Sequence, residues 1–233
     1  MPSSHPDSPR HSAPQHPPHT GGAQPHHGAD AARPAPRKAD GRDRMQENLL
    51  FMRKFFKHGL TIASVWPSSV AMSRATIAKI DWRHARIIVE LGAGTGAITE
   101  QIMHKLQPHT TLIAIERDGD FVDILRKRFG HHPNVEIVTA DVRDLERVLR
   151  QRHIARVDAF VSGLPTPSLP PGVRNRMLAS VRKYLVDGGV FSNITEVPFW
   201  YWRYYKKVFK EVSFELVVRN MPPGGVYHCR ACR

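Results

Sequence analysis

A run of alternating glycines is the feature of this sequence that most clearly points to ligand chemistry. Gly92, Gly94 and Gly96 stand in the segment Gly92-Ala93-Gly94-Thr95-Gly96, directly after a β-branched run that ends at Leu91. Glycines let the backbone turn sharply and approach a ligand closely, and a following helix N-terminus offers free N–H groups to an anion. The pattern alone is also compatible with a nicotinamide dinucleotide site, because that site shares the strand, turn and helix.

Three carboxylates stand at the ends of successive predicted strands. Glu90 precedes the glycines, where its carboxylate can face a cationic amino acid moiety. Glu116 ends the second strand, where it can accept both ribose hydroxyls, and Asp141 follows the third, where it can meet an adenine amino group. One acid at a strand end is often a solvated loop residue, but three in register with the glycines indicate a single site.

Short strands and helices alternate from residue 86 onward, and they must position these side chains. The pattern predicts strands at 86–91, 111–116, 135–139, 159–162 and 190–195. It predicts helices from the glycine turn to 106 and at 121–129, 145–152 and 174–185, the last ended by Gly188-Gly189. This order predicts an α/β fold with a doubly wound, mostly parallel sheet and a ligand crevice at the carboxyl ends of its strands.

The spacing Glu-x-Gly-x-Gly-x-Gly from Glu90 to Gly96, with the two further acids, resembles the donor-binding motifs of class I methyltransferases, which have a Rossmann-like fold. This resemblance implies S-adenosyl-L-methionine as the cofactor. The cofactor-binding residues that it implies are Glu90, Gly92, Ala93, Gly94, Gly96, Glu116, Arg117, Asp141, Val142 and Ser162.

Two methyltransferase families resemble the chain from about residue 48 to residue 230. The rRNA adenine dimethylases share the glycine turn, the acidic second strand and Ala140-Asp141-Val142. Their fourth strand ends in an Asn-Pro-Pro-aromatic motif that orients an exocyclic amine and stacks on its base. This chain has Ser162-Gly163-Leu164-Pro165 there, without amide or ring, which disfavours adenine as the acceptor.

The second family comprises the bacterial phospholipid N-methyltransferases of the soluble, membrane-associated type, with related ornithine-lipid enzymes. The chain is similar to them in the Ser-Gly-Leu-Pro element, in Phe51-x-Arg53-x-Phe55, in Pro67-Ser68-Ser69 and in Asn220-x-Pro222-Pro223-x-x-Val226-Tyr227. The resemblance implies methyl transfer to the amine headgroup of phosphatidylethanolamine and its methylated derivatives, or of ornithine lipid. A soluble small-molecule or protein methyltransferase is a third alternative.

In-line transfer to a neutral amine requires that the chain position the acceptor. The backbone at Gly163 and Leu164 is predicted to orient the amine. The phospholipid enzymes carry a tyrosine where alignment places Glu196, whose carboxylate suits a cationic headgroup unless a one-residue misalignment makes it a loop residue. The predicted catalytic set is Asp141, Ser162, Gly163, Leu164 and Glu196.

Arg219 and Tyr227 are the predicted substrate-binding residues. Arg219 is predicted to contact a phosphate or carboxylate, because a guanidinium suits bidentate recognition of either group. A plain surface charge is the alternative for Arg219.

Two segments combine apolar or aromatic side chains with basic ones. Apolar residues recur at helical spacing from Met45 to Leu60, which predicts a helix on an anionic membrane or one that caps the core. Rings beside basic residues from Phe199 to Lys207 suit a membrane interface, base stacking or packing on the sheet. The predicted membrane-binding residues are Phe51, Arg53, Lys54, Phe55 and Lys57.

Composition predicts three regions. Residues 1–44 hold nine of the 19 prolines and six of the 14 histidines, which predicts a disordered tail, with a histidine-rich metal-binding tract as the alternative. Residues 45–80 are predicted to form the amphipathic and lid helices, and residues 81–233 the cofactor-binding domain.

The net charge of +13 lies mostly beyond the tail and predicts an anionic partner, either a membrane surface or, less favoured by the motifs, nucleic acid. The chain lacks an apolar run of about 18 residues, so we expect a cytoplasmic protein associated peripherally with the inner face of the cell membrane. Cys229 and Cys232 beside His228 resemble half a zinc site, and without a second ligand pair no metal is expected.

Overall fold

A computed structural model describes residues 67–195, 201–219 and 223–232. Seven strands, six α-helices and two short 3₁₀ turns, at Val142–Asp144 and Thr166–Ser168, make up these residues. In chain order the helices and strands are α1 (Pro67–Ile77), β1 (Ile87–Leu91), α2 (Ala97–Met103), β2 (Thr111–Glu116), α3 (Gly119–Phe129), β3 (Val135–Thr139), α4 (Leu145–Gln151), β4 (Val157–Ser162), α5 (Pro171–Tyr184), β5 (Leu185–Thr195), α6 (Trp202–Val208), β6 (Phe209–Val217) and β7 (Gly224–Cys232).

The strands form one sheet in the order β3-β2-β1-β4-β5-β7-β6. Strands β1 to β5 are parallel, and β7 is antiparallel to both β5 and β6. The predicted doubly wound, mostly parallel sheet is therefore confirmed. The order reverses between β1 and β4, and parallel sheets of this kind bind ligands at that switch point, beyond the carboxyl ends of the strands.

Helices cover both faces of the sheet, so the side chains that alternate along each strand are buried on either side. Ile88 packs with Ile98 of α2 and Ile77 of α1 on one face. Val89 packs on the other face with residues of α4, α5 and α6, including Leu149 and Val181. The continuous β-branched runs in β1 and β2 are explained by this burial on two sides.

The prediction for the segment around Gly188-Gly189 is wrong. The helix ends at Tyr184, and β5 begins at Leu185, five residues before the predicted strand. A bulge shifts the register between β4 and β5, with Gly188 at φ +78°, and a Cβ on Gly189 would lie 2.8 Å from the Asp158 carbonyl oxygen. The glycine pair bends a strand here and does not end a helix.

The aromatic segment is partly core rather than membrane surface. The Tyr205 side chain in α6 has no solvent exposure, and its ring lies 4.9 Å from that of Tyr227 and 6.2 Å from that of Phe191. Tyr201, Trp202 and Tyr204 are half-buried against the same core. The membrane interpretation is therefore wrong for Tyr205, because its ring is buried against Phe191 of β5 and Tyr227 of β7.

Several predictions fall on residues that the structure does not describe. These are the tail at 1–44, the amphipathic helix with Phe51, Arg53, Lys54, Phe55 and Lys57, and Glu196. Within the described residues, none of the helices has the length and apolar character needed to cross a bilayer.

Candidate active site

The glycine turn connects β1 to α2 at the carboxyl edge of the sheet. Gly92, Gly94 and Gly96 all have positive φ, at +71°, +53° and +88°. The N–H groups of Gly92 and Ala93 donate to the Ile115 carbonyl oxygen at 2.9 and 3.2 Å, which fixes the turn beside β2. A Cβ on Gly94 would meet no atom within 4 Å, so the backbone there borders open space.

Glu90 is fully buried beside this turn. Its Oε2 accepts a hydrogen bond from the Thr99 hydroxyl at 2.7 Å, and its Oε1 is buried with no hydrogen-bond partner among the described residues. Burial raises the pKa of Glu90 to about 8, against the opposing effect of the Thr99 hydrogen bond. A cationic group that reached Oε1 would offset this desolvation, as the sequence predicts for an amino acid moiety.

Glu116 connects the glycine turn to the end of β2. Its Oε2 accepts from the Gly94 N–H at 2.9 Å, and its Oε1 accepts from the backbone N–H groups of Arg117 and Asp118 at 2.8 and 2.9 Å. These bonds hold the carboxylate at the rim of the crevice. A carboxylate has about four lone-pair sites, and these bonds use three, so Oε2 can accept one ribose hydroxyl. The predicted contact with both hydroxyls would need one of these backbone bonds to be shared or released.

Asp141 caps the 3₁₀ turn that follows β3. Its Oδ1 accepts from the Arg143 N–H at 2.9 Å, its Oδ2 accepts from the Arg143 guanidinium at 3.0 Å, and Arg117 lies 3.6 Å from the same oxygen. Burial alone would raise the pKa of Asp141, but the Arg143 hydrogen bonds and the two positive charges outweigh it and lower the pKa. Val142 is half-buried in the turn, so these residues form the third wall of the predicted cofactor site.

The Ser162-Gly163-Leu164-Pro165 turn leaves β4 against the glycine turn. A Cβ on Gly92 would lie only 2.4 Å from the Leu164 Cδ2, so the Leu164 side chain packs directly on Gly92. A Cβ on Gly163 would lie 3.2 Å from the Gly92 carbonyl oxygen. Ser162 is buried, and its Oγ accepts from the Leu164 N–H at 3.2 Å. The predicted donor and acceptor turns are thus in direct contact, with Ser162 supporting the second.

Two residues that the sequence analysis missed hold the acceptor turn. The buried Asn193 amide in β5 donates to the Leu164 carbonyl oxygen at 3.2 Å, and the Thr166 hydroxyl donates to the Asn193 Oδ1. Asn193 pairs with Ser162 in the sheet register. A polar amide near the carboxyl end of an otherwise apolar strand was the signal available in the sequence.

Asn193→Ala is expected to lower the free energy of unfolding by about 1–3 kcal/mol, because the Leu164 carbonyl oxygen and the Thr166 hydroxyl lose their hydrogen-bond partner. The acceptor turn loses its support, so kcat for methyl transfer falls while the Kd of the cofactor stays near the wild-type value. Urea unfolding, calorimetric cofactor titration and steady-state rates measure the three quantities. Ser192→Ala, which removes a buried hydrogen bond to His228 elsewhere in β5, should cost stability without the loss in kcat. An equal fall in kcat for both variants would contradict the role of Asn193.

The remaining predicted residues lie farther along the same edge. Arg219 is exposed in the turn after β6, and its substrate contact stays a prediction. Tyr227 has no solvent exposure and lies between the rings of Tyr205 and Phe214, each 4.9 Å away. A substrate contact by Tyr227 therefore requires its neighbours to move. Cys229 and His228 are buried in β7.

The described residues fit S-adenosyl-L-methionine. Glu90 has a buried oxygen free to meet an amino group, Gly94 leaves room for close approach, and the carboxylates of Glu116 and Asp141 follow on the next two strands. When bound, this cofactor supplies an electrophilic methyl group. Glu90, Glu116 and Asp141 are the residues that would hold the cofactor, and the acceptor turn would then stand beside it. Fold and site together define a class I S-adenosylmethionine-dependent methyltransferase.

Comparisons with known proteins place the chain within this class. Residues 70–167 match the family model of ribosomal RNA adenine dimethylase, a span that ends at the acceptor turn. A ribosomal RNA small subunit methyltransferase A from Geobacter metallireducens is 37% identical over 67 residues, 29% of this chain and 23% of that protein. Both similarities cover less than half of the chain, and the family-model match includes the donor-binding residues from Glu90 to Val142.

An ornithine lipid N-methyltransferase from Singulisphaera acidiphila is 46% identical over 189 residues, which are 81% of this chain and 98% of that protein. The chain belongs to the ornithine lipid N-methyltransferase family. The predicted family resemblance, the methyltransferase activity and the cofactor are thereby confirmed.

Solved structures agree on the fold. A 1,6-didemethyltoxoflavin-N1-methyltransferase from Burkholderia thailandensis, with bound S-adenosylhomocysteine, superposes with a TM-score of 0.59 at 16% identity and covers 88% of this chain and 94% of its own. At that identity the likeness shows the fold alone.

Proposed function

We propose that this enzyme transfers methyl groups from S-adenosylmethionine to the free amine of an ornithine-type aminolipid while docked on the inner face of the cell membrane. The observation that carries the proposal is the similarity to an ornithine lipid N-methyltransferase over nearly the whole of that protein. The acceptor amine meets the cofactor at the Gly163-Leu164 turn, and Glu196, just past β5, is proposed to face the cationic headgroup.

The charge around the acceptor turn supports a lipid surface as the partner. Helices α5 and α6, which flank the turn, carry exposed Arg176, Arg203, Lys206 and Lys207 and contain no Asp or Glu. The donor side is mixed, since Arg117 and Arg143 there are paired with Asp141. A basic surface beside the acceptor turn suits anionic headgroups.

The rRNA adenine dimethylase match is the observation that favours a second candidate, adenine in RNA. That match stops at residue 167, before α5 to β7. The acceptor turn has no ring for base stacking, and the nearby Asn193 amide is bonded to the Leu164 carbonyl oxygen. These contacts make adenine the weaker candidate.

The test is methyl-label incorporation from S-adenosylmethionine into phosphatidylcholine vesicles doped with phosphatidylglycerol. One set holds ornithine lipid, another phosphatidylethanolamine, and rRNA is a third acceptor. We expect label in the ornithine lipid. Label in phosphatidylethanolamine alone would assign the enzyme that headgroup in place of ornithine, and label in RNA alone would overturn the proposal.

The same vesicles test the basic surface. The triple variant Arg176→Gln, Arg203→Gln and Lys207→Gln is expected to bind anionic vesicles about 100-fold more weakly, since each basic residue near such a surface contributes about 1 kcal/mol. The matched control replaces three exposed cations at the opposite, amino edge of the sheet, Arg83, Lys105 and Arg156, by glutamine. Equal loss in both variants would show that net charge, and not this surface, drives binding.

A further inference from the structure

Arg174 is a half-buried cation in the first turn of α5, beside the acceptor turn. Its Nη1 donates to the Pro167 carbonyl oxygen at 2.8 Å, and its guanidinium carbon lies 5.0 Å above the centre of the Tyr204 ring. These two contacts fix the plane of the guanidinium. The side chain is therefore held in one orientation before any ligand arrives.

The guanidinium is only partly satisfied by the protein. Its Nε is buried with no hydrogen-bond partner among the described residues, and one of its five N–H groups makes the bond to Pro167. A buried donor without a partner costs about 1–3 kcal/mol. Such a group in a folded protein points to a strained or functional position.

Among the described residues, no neighbouring carboxylate neutralises the charge of Arg174. Neither α5 nor α6 contains Asp or Glu, the same is true of residues 163–170 between β4 and α5, and none of the described ion pairs includes Arg174. Half-buried cations in proteins are normally paired. An anionic group from outside the described chain would complete the arrangement.

The position of Arg174 relative to the acceptor turn limits what that group can be. Pro167, to which Arg174 bonds, is three residues past Leu164, so its carbonyl oxygen lies within about 10 Å of that residue. Leu164 in turn contacts the donor turn at Gly92. Pro167 thus links Arg174 to the acceptor turn, and an anion held by Arg174 would be a neighbour of the acceptor site.

We propose that Arg174 binds the carboxylate of the acceptor headgroup and so selects an amino acid lipid by its acid group. This inference rests on the proposed function and adds the residue that reads the second charge of the headgroup. In an N-acylated ornithine, a short alkyl side chain separates the free amine from the carboxylate on the α-carbon. One headgroup can therefore present its amine at the acceptor turn while its carboxylate faces Arg174. A guanidinium binds a carboxylate through two parallel hydrogen bonds.

The test compares N-acyl-ornithine with its carboxamide, which keeps the amine and loses the negative charge, both in the anionic vesicles above. For the wild type, we expect kcat/KM to be at least tenfold higher for the acid. Arg174→Gln should lose this preference, with a higher KM for the acid and little change for the carboxamide, whereas Arg174→Lys should recover part of it. Arg83→Gln and Arg156→Gln, at exposed arginines on the opposite, amino edge of the sheet, are the matched controls and should keep the preference.

Three results separate the possible failures. Transfer by the wild type to neither lipid would overturn the proposed function itself. Equal wild-type rates with acid and carboxamide would overturn the carboxylate site while leaving aminolipid methylation intact. A uniform loss with both acceptors in Arg174→Gln, together with a lower melting temperature, would assign the residue a structural role and also overturn the proposal.

Discussion

Glu90→Gln is expected to weaken S-adenosylmethionine binding by at least tenfold, because the buried Oε1 then presents no negative charge to the amino group of the cofactor. Hydrogen bonds to charged groups contribute about 1.5–3 kcal/mol, and the amide keeps only part of that. The Thr99 hydroxyl can still donate to the amide oxygen, so the fold is preserved. Calorimetric titration with the cofactor measures the change in Kd.

The same substitution should raise the stability of the cofactor-free protein at alkaline pH. The pKa of Glu90 is raised to about 8 by burial, above its ordinary value of 4.5. The folded state therefore gains from the neutral carboxyl at low pH and loses this contribution as the pH rises from about 4.5 through about 8. Glu90→Gln removes the loss, so at pH 9 the variant should unfold at a higher urea concentration than the wild type.

Cofactor binding to the wild type should also release a proton. Below pH 8 the Glu90 carboxyl must lose its proton to meet the amino group. The affinity for the cofactor should therefore fall by up to about tenfold for each unit by which the pH decreases. Titrations in buffers of different ionisation enthalpy count the protons. Glu211→Gln, an exposed acid in β6, is the control and should leave both stability and binding at the wild-type values. A cofactor Kd that is constant from pH 6 to pH 9 would contradict the role given to Glu90.

Gly94→Ala is the second substitution with a large expected effect. The methyl group would occupy the open space that borders the backbone at Gly94, where the cofactor must approach. A left-handed φ of +53° adds a conformational cost of about 1–2 kcal/mol for alanine. We expect at least a 100-fold increase in the Kd of S-adenosylmethionine, with the protein still folded.

Gly119→Ala is the matched control for this effect. Gly119 is the first residue of α3, and a Cβ there also meets no atom within 4 Å, but its φ is not positive. The control should bind the cofactor normally and be as stable as the wild type or more so. Wild-type cofactor affinity in Gly94→Ala would mean that the ligand does not pass over this part of the turn. Thermal unfolding of both variants separates binding from folding.

The donor half of the site could be predicted because its residues are close together in sequence or stand at strand ends. Glu90 and the glycines occupy one turn, and Glu116 ends β2 in the structure as in the sequence. A parallel sheet brings such ends to one edge, so the sequence predicted one site shared by the acids and the glycines. The hydrogen bond from the Gly94 N–H to Glu116 was not predicted, but it agrees with a shared site.

The acceptor half depends on contacts between distant residues. The bond from Asn193 to Leu164 spans 29 positions, and the ring contact between Tyr205 and Tyr227 spans 22. Rings beside lysines have the same sequence pattern on a membrane and in a core, so the pattern could not place Tyr205. The β6–β7 pair was not predicted, because the Lys and Glu residues of β6 hide its alternation.

The close approach of Gly163 to the Gly92 carbonyl oxygen constrains how this enzyme can be redesigned. A side chain added at 163, or a larger one at 164, would push on the backbone that holds the cofactor, so mutant libraries at the acceptor turn should contain mostly inactive members. Exposed positions on the first turns of α5 and α6, such as Gly172 and Arg203, lie outside that contact. Randomising those positions, with residues 162–166 kept fixed, is therefore the more productive route to new amine acceptors.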